Sequence, residues 1–455
     1  MYKENAWKKY SDKELNEVFN FNEGYKDFIS RCKTERLCVD GAIKLAEQAG
    51  FKNINDYKSL KAGDKVYAVN RGKNFAAFVI GHESMESGLR VLGAHIDSPR
   101  LDVKQNPLYE RDGFCLMDTH YYGGIKKYLY VTIPLAIHGV VCKKDGSVVD
   151  INIGDDPHDP VVGISDLLIH LSADLMTKPA AKVVEGEDLD LTLGSIPAKD
   201  EEKDPVKANI VKLLKDKYNF EEEDLLSAEL EIVPAGDARD YGLDRSMVAG
   251  YGHDDKVCAY TSLLAVLHEA SVKYTSCAVL VDKEEVGSIG ATGAQSAWFE
   301  NVIAEIMNLC GDYSSLKLRR CLTNTKMLSS DVSAGYDPLY AGVNDPKNAA
   351  YLGNGLCFNK YTGARGKSGC NDAMPEFFAE IRRALDDAGV NYQTSELGKV
   401  DQGGGGTIAY ILGNLNMNVI DAGIAVLSMH SPMEIVSKAD VYEAYMGYRA
   451  FITRL

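Results

Sequence analysis

The sequence predicts an α/β fold in which one domain is built from both ends of the chain and a β-rich segment interrupts it. Helical periodicity and short β-rich runs alternate near the start of the chain and again after Gly250, as they do in α/β domains. Between about residues 100 and 240, apolar and polar residues alternate around hairpin turns instead. We therefore expect segments at 1–99, 100–242 and 243–455, the first and last forming one domain.

The elements of the first two segments are predicted from periodicity and turn residues. Residues 12–50 have helical periodicity and end in LAEQAG, with Gly50 as the expected C-cap. Two strands follow, NFAAFVI at 74–80 and LRVLG at 89–93, and the second leads directly into AHIDSPRLD. In the insert, YLYVTIPLAIHGVVCKKDGSVVDINIG predicts a hairpin around KKDG, and the charged stretch 198–224 predicts a solvated helix with flanking loops.

After Gly250, helices and strands alternate again, which predicts the second half of the α/β domain. The predicted strands are TSCAVLV (275–281), KMLSS (326–330) and NVIDAGIAVLS (418–428), and the predicted helices include 259–270, 297–309 and PEFFAEIRRALDDAG (375–389). The last helix is expected to begin with a capping box, because Ser437 and Asp440 have the required spacing before VYEAYMGYRAFITR.

Composition and charge exclude several classes of function. The net charge of −16 disfavours attachment to nucleic acid or to an anionic membrane surface, since both depend on clustered Lys and Arg. The longest apolar run, 128–141, is too short to span a bilayer and contains Pro134 and His138, and the start of the chain lacks a signal-peptide core. The ten cysteines form no C-x-x-C, so neither a disulfide framework nor a cysteine-based zinc site is expected. We expect a cytoplasmic protein.

Metal-type ligands follow the ends of predicted strands at several places, where α/β sheets commonly build their sites. They are His95 and Asp97 in AHIDSP, Asp254 and Asp255 in GHDDKV, Glu284 and Glu285 in DKEEVGS, Asp331 in SSDVSAG, and His430 in SMHSPME. The set contains two imidazoles and several carboxylates but no thiolate. Such a set suits a hydrolytic site for divalent zinc, manganese or cobalt.

Spacing within two of these motifs predicts different roles for the neighbouring side chains. Asp97 lies two residues after His95, on the same face of an extended chain, where it can accept the other imidazole N–H. Glu284 and Glu285 are adjacent at the end of an apolar run. One of them can bind a metal ion while its neighbour takes a proton from the attacking water.

The motifs GAHIDSPRLDVKQNP, GHDDKV, DKEEVGS, SSDVSAG and SMHSPME resemble those of the M18 metallo-aminopeptidases, the aspartyl aminopeptidase group. Their order and separations are similar to the family's across nearly the whole chain. The resemblance implies a two-zinc exopeptidase-type sheet flanked by helices and interrupted by a β-rich dimerisation domain. It also implies an enzyme that removes single N-terminal amino acids from peptides with a free N-terminus, through a water that bridges two ions.

The resemblance assigns roles to the candidate residues. It implies one zinc held by His95, Asp254 and Asp331, and a second held by Asp254, Glu285 and His430. Asp97 would orient His95, and Glu284 would be the general base. His170, in LLIHLS, is similar to a family histidine lent across a dimer interface, and the family's dimers assemble into particles that resemble tetrahedral dodecamers. A structural role for His170, on a helix surface or in the core, stays open.

One departure from the family bears on the substrate. Members specific for acidic residues carry a His three positions after the metal-binding Asp, and here that position is Ala334. Lys360, in CFNKYTG, resembles their binder of the substrate carboxylate. Acidic, neutral and basic N-terminal residues therefore all stay open as substrates.

Other motifs in the sequence point to different functions. ARGKSG lacks the first glycine of a Walker loop, where Tyr361 stands, and GNGLCF has Phe358 at the third glycine position of a dinucleotide fingerprint. We interpret QGGGG at 402–406 as a tight loop. A different two-zinc amidohydrolase, such as a carboxypeptidase or deacylase, stays open because metal ligands alone do not define a substrate. A non-catalytic self-assembling scaffold is the third alternative.

Overall fold

The computed structural model describes residues 4–455, except for the side chain of Ala364. Contacts divide the chain into two units. The first comprises the residues up to Asp97 together with Ala238–Met429 and Met433–Leu455, and the second comprises Ser98–Asp237 and His430–Pro432. The first unit is α/β and the second is β-rich, which confirms the predicted fold class. The breaks fall at Asp97/Ser98 and Asp237/Ala238, where the sequence predicted 99/100 and 242/243.

Strands are numbered in chain order. They are β1 (Lys52–Asn53), β2 (Lys65–Asn70), β3 (Asn74–Val79), β4 (Arg90–His95), β5 (Arg100–Arg111), β6 (Phe114–Tyr122), β7 (Leu135–Cys142), β8 (Val148–Ile153), β9 (Leu191–Gly194), β10 (Ala228–Pro234), β11 (Arg239–Tyr241), β12 (Met247–Gly250), β13 (Ser276–Val281), β14 (Lys326–Ser329), β15 (Ser333–Ala334), β16 (Leu356–Asn359), β17 (Tyr392–Thr394), β18 (Asn418–Gly423), β19 (Ala425–Leu427) and β20 (Glu434–Ser437).

The α-helices are numbered in the same way. They are α1 (Asp12–Arg31), α2 (Glu35–Gln48), α3 (Pro205–Tyr218), α4 (His253–Leu267), α5 (Trp298–Leu309), α6 (Ser315–Asn324), α7 (Ala364–Lys367), α8 (Pro375–Asp387), α9 (Ala409–Gly413) and α10 (Lys438–Arg454). Of the helices in residues 4–455, none combines the length and apolar character needed to cross a bilayer.

The first unit is built on a nine-stranded sheet with strand order β1-β2-β3-β13-β4-β14-β18-β16-β17. Its central strands β13, β4, β14 and β18 run parallel, so their carboxyl ends meet at one edge. The middles of these strands are mostly apolar because both faces of the sheet are covered. α4 and α10 contribute to the core on one face, and α5 and α6 to the core on the other. A five-stranded sheet, β11-β12-β20-β19-β15, completes this unit.

The second unit is a six-stranded antiparallel sheet with strand order β8-β7-β10-β5-β6-β9. β7 and β8 form the predicted hairpin around KKDG. One face of the sheet packs in a core with apolar residues of α3, such as Val206 and Ile210. The N-terminus of α3 is capped from β5, because the Glu110 carboxylate accepts hydrogen bonds from the N–H groups of Val206 and Lys207.

Three local predictions were wrong. The apolar run 418–428 is two strands rather than one, since β18 belongs to the large sheet and β19 to the small one. The helix predicted from 259 begins at His253. Ser437 is the N-cap of α10 but makes no capping bond, and Asp440 accepts hydrogen bonds from Gly353 and Gly355 instead. In each case a tertiary partner outweighs the local pattern.

Candidate metal centre

His95 is the last residue of β4 and is buried. Its Nδ1 lies 3.1 Å from the carbonyl oxygen of Asp97 and 3.2 Å from Oδ1 of the Asp97 carboxylate. Both neighbours are acceptors, so Nδ1 carries the hydrogen and donates it. In the neutral ring this leaves the lone pair on Nε2, the atom with which such a histidine binds a metal.

Nε2 of His95 lies 3.1 Å from Oδ1 of Asp254, which is also buried. Asp254 stands at the irregular start of α4, where Gly252 has a φ of 77° and a cis peptide bond joins Asp254 to Asp255. An imidazole lone pair and a carboxylate oxygen repel each other at this distance unless a proton or a cation lies between them. Burial lowers the pKa of His95, but hydrogen bonds with Asp254 and Asp97 reverse this effect and raise it well above its usual value.

Asp331, two residues beyond β14, completes a set of potential ligands with His95 and Asp254, and one donor atom from each lies within 4.8 Å of the others. Gly423 of β18 permits this approach, because a Cβ there would lie 1.8 Å from the carbonyl oxygen of Asp331. Burial, together with the charges of Asp255 and other neighbouring carboxylates, raises the pKa of Asp331 well above its usual value.

The donor set fits a zinc ion. Tetrahedral zinc with N and O ligands at about 2.0–2.1 Å separates its ligand atoms by about 3.3 Å, close to the 3.1 Å between His95 Nε2 and Asp254 Oδ1. Burial and then the neighbouring carboxylates raise the pKa of Asp331, and hydrogen bonds with Asp254 and Asp97 raise the pKa of His95 against the effect of burial. A divalent cation would relieve the same repulsion that now favours protons.

Glu284 and Glu285 begin a 3₁₀ turn after β13, and Lys283, with a φ of 68°, turns the chain into it. The turn is tied to Asp97, whose Oδ1 accepts from the N–H of Glu284 at 3.1 Å and whose Oδ2 accepts from the N–H of Glu285 at 3.2 Å. Oε2 of Glu284 lies 3.9 Å from Nε2 of His95. The two adjacent carboxylates are thus held where the parallel strands end.

His430 belongs, with Ser431 and Pro432, to the second unit. Its Nδ1 lies 2.8 Å from the carbonyl oxygen of Gly124. A carbonyl only accepts, so the hydrogen is on Nδ1 and, in the neutral ring, the lone pair is on Nε2. The tautomer is the same as that of His95.

The remaining predicted residues lie outside this set. His170 is on an exposed 3₁₀ turn of the second unit, Ile169–Leu171. Lys360 forms an ion pair with Asp372. Ala334 lies in β15, which pairs with β19. Gly403 and Gly404, of the glycine run, line a cavity of about 180 Å³.

Several buried polar residues at the site received no role from the sequence. The carboxylate of Asp255 accepts a hydrogen bond from the N–H of His95 at 3.3 Å. The hydroxyl of Tyr25 and Nδ1 of His253 share a hydrogen bond of 2.5 Å, and burial lowers the pKa of His253 to about 3. Glu434 accepts from the N–H of Asp254 at 3.0 Å. The one available signal for Glu434 was an acidic residue leading the apolar run EIV.

Comparisons with known proteins agree across the whole chain. Residues 28–452 match the family described as Aminopeptidase I zinc metalloprotease (M18). The probable M18 family aminopeptidase 1 of Clostridium acetobutylicum is 62% identical over 453 residues, covering 98% of this chain and 97% of the relative. The solved M18-family aminopeptidase of Thermotoga maritima is similar with a TM-score of 0.97 at 44% identity, covering 100% of both chains. The S. cerevesiae mApe1 dodecamer shares the fold, with a TM-score of 0.77 at 19% identity over 96% of this chain and 97% of that one.

These similarities select one of the activities that the donor set alone left open. Relatives this close over their full length are aminopeptidases rather than carboxypeptidases, deacylases or scaffolds. The chain belongs to the M18 family of zinc metalloproteases and is a metal-dependent aminopeptidase.

Proposed function

We propose that this aminopeptidase binds two divalent ions and uses them to release single N-terminal amino acids from peptides. Zinc is the expected metal, and manganese or cobalt would suit the same donors. One ion would be held by His95, Asp254 and Asp331, and the other by Asp254, Glu285 and His430. Donor atoms of the first set lie within 4.8 Å of one another. Asp254 can serve both because a carboxylate has two oxygens.

One observation carries the proposal. Nε2 of His95 is 3.1 Å from Oδ1 of Asp254 while Nδ1 is committed to Asp97. This arrangement suits a cation between the two atoms, and the tautomer of His430 suits the same use. The family description as a zinc metalloprotease supports zinc in particular.

Glu284 would act as the general base and Glu285 as the metal ligand. When bound, the ions would polarise the scissile carbonyl and lower the pKa of the attacking water. Glu284 would take the proton of that water and pass it to the leaving amine. Asp97 would hold the base in place, because it binds the backbone of both glutamates and the imidazole of His95. A peptide's free α-amino group would lie beside these carboxylates, which restricts cleavage to the first residue.

Lys360 is the proposed contact for the side chain of the N-terminal residue. Its charge is only partly balanced, since the single carboxylate of Asp372 forms ion pairs with both Lys360 and Lys367. Ala334 offers no further charge. Acidic, neutral and basic N-terminal residues therefore all stay candidate substrates.

The activity is tested by amino-acid release from X-Ala-Ala peptides, where X is Asp, Glu, Leu, Lys or Ala, with zinc-loaded or manganese-loaded protein. We expect free X to appear before free Ala, and no release from the same peptides with an acetylated N-terminus. First release of the C-terminal Ala, or hydrolysis of the acetylated peptides, would contradict the proposal. Comparing the release rates of the five X residues measures which N-terminal residue the enzyme prefers.

The predicted segment 100–242 is the proposed dimerisation domain, and dimers would assemble further into a tetrahedral dodecamer. Large apolar side chains are exposed around His170, with Ile169 at 66%, Leu171 at 68% and Met176 at 70% exposure. Exposed apolar groups of this density are typical of protein interfaces. A dodecameric relative of the same fold supports the larger assembly. A cytoplasmic location remains a prediction.

Hybrid oligomers test whether His170 acts in a neighbouring subunit. Glu284→Gln and His170→Ala chains, each expected to be inactive, are co-expressed with different tags and purified through both. If His170 acts in trans, hybrids regain activity, because the site with Glu284 receives His170 from the other chain. Hybrids as inactive as both parents would contradict a role in trans, and a fully active His170→Ala homo-oligomer would contradict any catalytic role.

A further inference from the structure

Glu434 is a buried acidic residue in contact with the backbone of a proposed metal ligand. It is the first residue of β20 and is 1% exposed. Its Oε2 accepts a hydrogen bond from the N–H of Asp254 at 3.0 Å. β20 pairs with β12 so that Glu434 lies opposite Gly250, the last residue before the turn that leads to Asp254. The small sheet therefore brings this carboxylate to the backbone that carries the ligand.

The backbone at Asp254 depends on such a partner. Asp254 has φ −78° and ψ 107°, and Asp255 has φ −116° and ψ 24°, so the first residues of α4 are not helical. The N–H groups in the first turn of a helix have no acceptor within the helix, and a buried one must find an acceptor elsewhere. Glu434 supplies that acceptor, because its Oε2 lies 3.0 Å from the backbone nitrogen of Asp254.

The orientation of Asp254 is what the metal centre needs. Its Oδ1 must face Nε2 of His95, 3.1 Å away, and its carboxylate is the one shared by both proposed ions. A rotation of the peptide that carries Asp254 would move this carboxylate relative to the other ligands. Partners that orient metal ligands commonly contribute about 10–100-fold to metal affinity or activity.

We propose that Glu434 is a positioning residue that holds the backbone of Asp254 so that its carboxylate can bind metal. The inference rests on the proposed function of Asp254 as a ligand. Glu434 acts through the backbone of Asp254, whose N–H donates to it. Its contribution therefore depends on an acceptor atom at the right place, and less on its negative charge.

Three substitutions separate the acceptor from the charge. Glu434→Gln keeps an acceptor oxygen at the same reach but removes the charge. Glu434→Asp keeps the charge but shortens the side chain by one methylene, which moves the acceptor oxygen away from the N–H of Asp254. Glu434→Ala removes both. Asp440→Ala is the matched control, because Asp440 is equally buried and accepts the N–H groups of Gly353 at 2.7 Å and Gly355 at 2.6 Å instead.

The readouts are zinc affinity, by competition with a chromophoric chelator, kcat and KM with zinc at saturation, and the melting temperature. We expect zinc affinity about 10–100-fold weaker in Glu434→Ala, weaker by a smaller factor in Glu434→Asp, and within about threefold of wild type in Glu434→Gln. The kcat should fall in the same order with KM little changed. Asp440→Ala should lower the melting temperature with wild-type zinc affinity.

Two results would overturn the inference. One is wild-type zinc affinity in Glu434→Asp and Glu434→Ala, or in Glu434→Asp alone if the alanine variant does not fold. The other is a loss in Glu434→Gln as large as in Glu434→Asp, which would assign the effect to charge. A wild-type protein that binds no zinc would instead contradict the proposed function, so the two failures are distinguishable.

Discussion

The carboxylate of Asp97 accepts a hydrogen bond from the backbone N–H of Glu284 at 3.1 Å. The same carboxylate lies 3.2 Å from Nδ1 of His95. One buried side chain thus joins the loop after β4, which carries a proposed metal ligand, to the turn after β13, which carries the proposed base. The sequence predicted only that Asp97 orients His95. Its contact with the turn after β13 also explains how His95 and Glu284 keep their relative positions.

Asp97→Asn should therefore impair both functions of this carboxylate. An amide has one acceptor oxygen, so its NH₂ group would face either an N–H of the glutamate turn or Nδ1–H of His95. We expect kcat to fall about 10–100-fold and zinc affinity to weaken, measured with a tripeptide substrate and a competing chelator. Asp244→Asn is the control, since Asp244 accepts the N–H of Ser246 in an exposed turn. Wild-type kcat in Asp97→Asn would contradict this account.

Gly423→Ala tests the close approach of two chain segments beside Asp331. A Cβ at Gly423 would lie 1.8 Å from the carbonyl oxygen of Asp331, so the backbone of the proposed ligand must move. We expect a loss of about 2 kcal/mol or more in the free energy of unfolding and at least a tenfold loss of activity. Gly342→Ala is the control, because a Cβ there meets nothing within 4 Å. Chemical denaturation and peptide hydrolysis measure the two effects, and full activity in Gly423→Ala would be the contrary result.

Asp440 should make the stability of the protein depend on pH. Burial raises the pKa of Asp440 from 3.8 to about 8, despite opposing hydrogen bonds from Gly353 and Gly355. The folded chain therefore holds a proton that the unfolded chain releases. The proton on Asp440 therefore stabilises the folded chain, and this stabilisation is complete below about pH 4. It is lost as the pH rises through 8, by up to about 1.4 kcal/mol per pH unit.

In Asp440→Asn this slope should disappear. The unfolding free energies of the two zinc-loaded proteins, measured at pH 5, 6.5 and 8, should be closest at pH 5, where the buried Asp440 is protonated and resembles the amide, and the wild type should become less stable than Asp440→Asn as the pH rises. Metal binding also depends on pH, but it does so in both proteins, so the difference between them isolates Asp440. Parallel pH profiles would show that the side chain is ionised throughout this range.

Asp372 should set the response to acidic substrates. Asp372 forms an ion pair with Lys360. Asp372→Asn would remove the negative charge from this pair. We expect kcat/KM for Asp-Ala-Ala and Glu-Ala-Ala to rise about fivefold relative to Leu-Ala-Ala, a modest factor because both side chains are partly exposed. Glu380→Gln, which breaks the ion pair with Lys326, is the control and should leave the ratio unchanged. An unchanged ratio in Asp372→Asn would remove Lys360 from the proposed substrate contacts.

The strand ends were predictable from the sequence because apolar runs and the polar residues after them are local signals. His95 ends β4, and Asp331 and the glutamate pair follow β14 and β13 directly. The parallel order of these strands then brings the three places to one edge.

Tertiary partners were not predictable in the same way. Ser437 and Asp440 have the spacing of a capping box, yet Asp440 bonds to a loop far away in the sequence, because that loop presents two buried N–H groups. Glu434 likewise appears in the sequence as one acid among many, and its partner Asp254 is 180 residues away. Local sequence patterns predict where helices and strands lie. The acceptors for buried N–H groups of irregular backbone come from residues that are distant in the sequence.

Glu284→Gln tests whether Glu284 is the base beside two bound ions. Zinc content and kcat for the preferred tripeptide should be measured on the same preparations of wild type, Glu284→Gln and Glu305→Gln, an exposed control on α5. We predict two zinc ions per chain in all three proteins and a loss of about 10²–10⁴-fold in kcat in Glu284→Gln alone. A Glu284→Gln protein that holds two zinc ions and keeps kcat within tenfold of wild type would contradict the account.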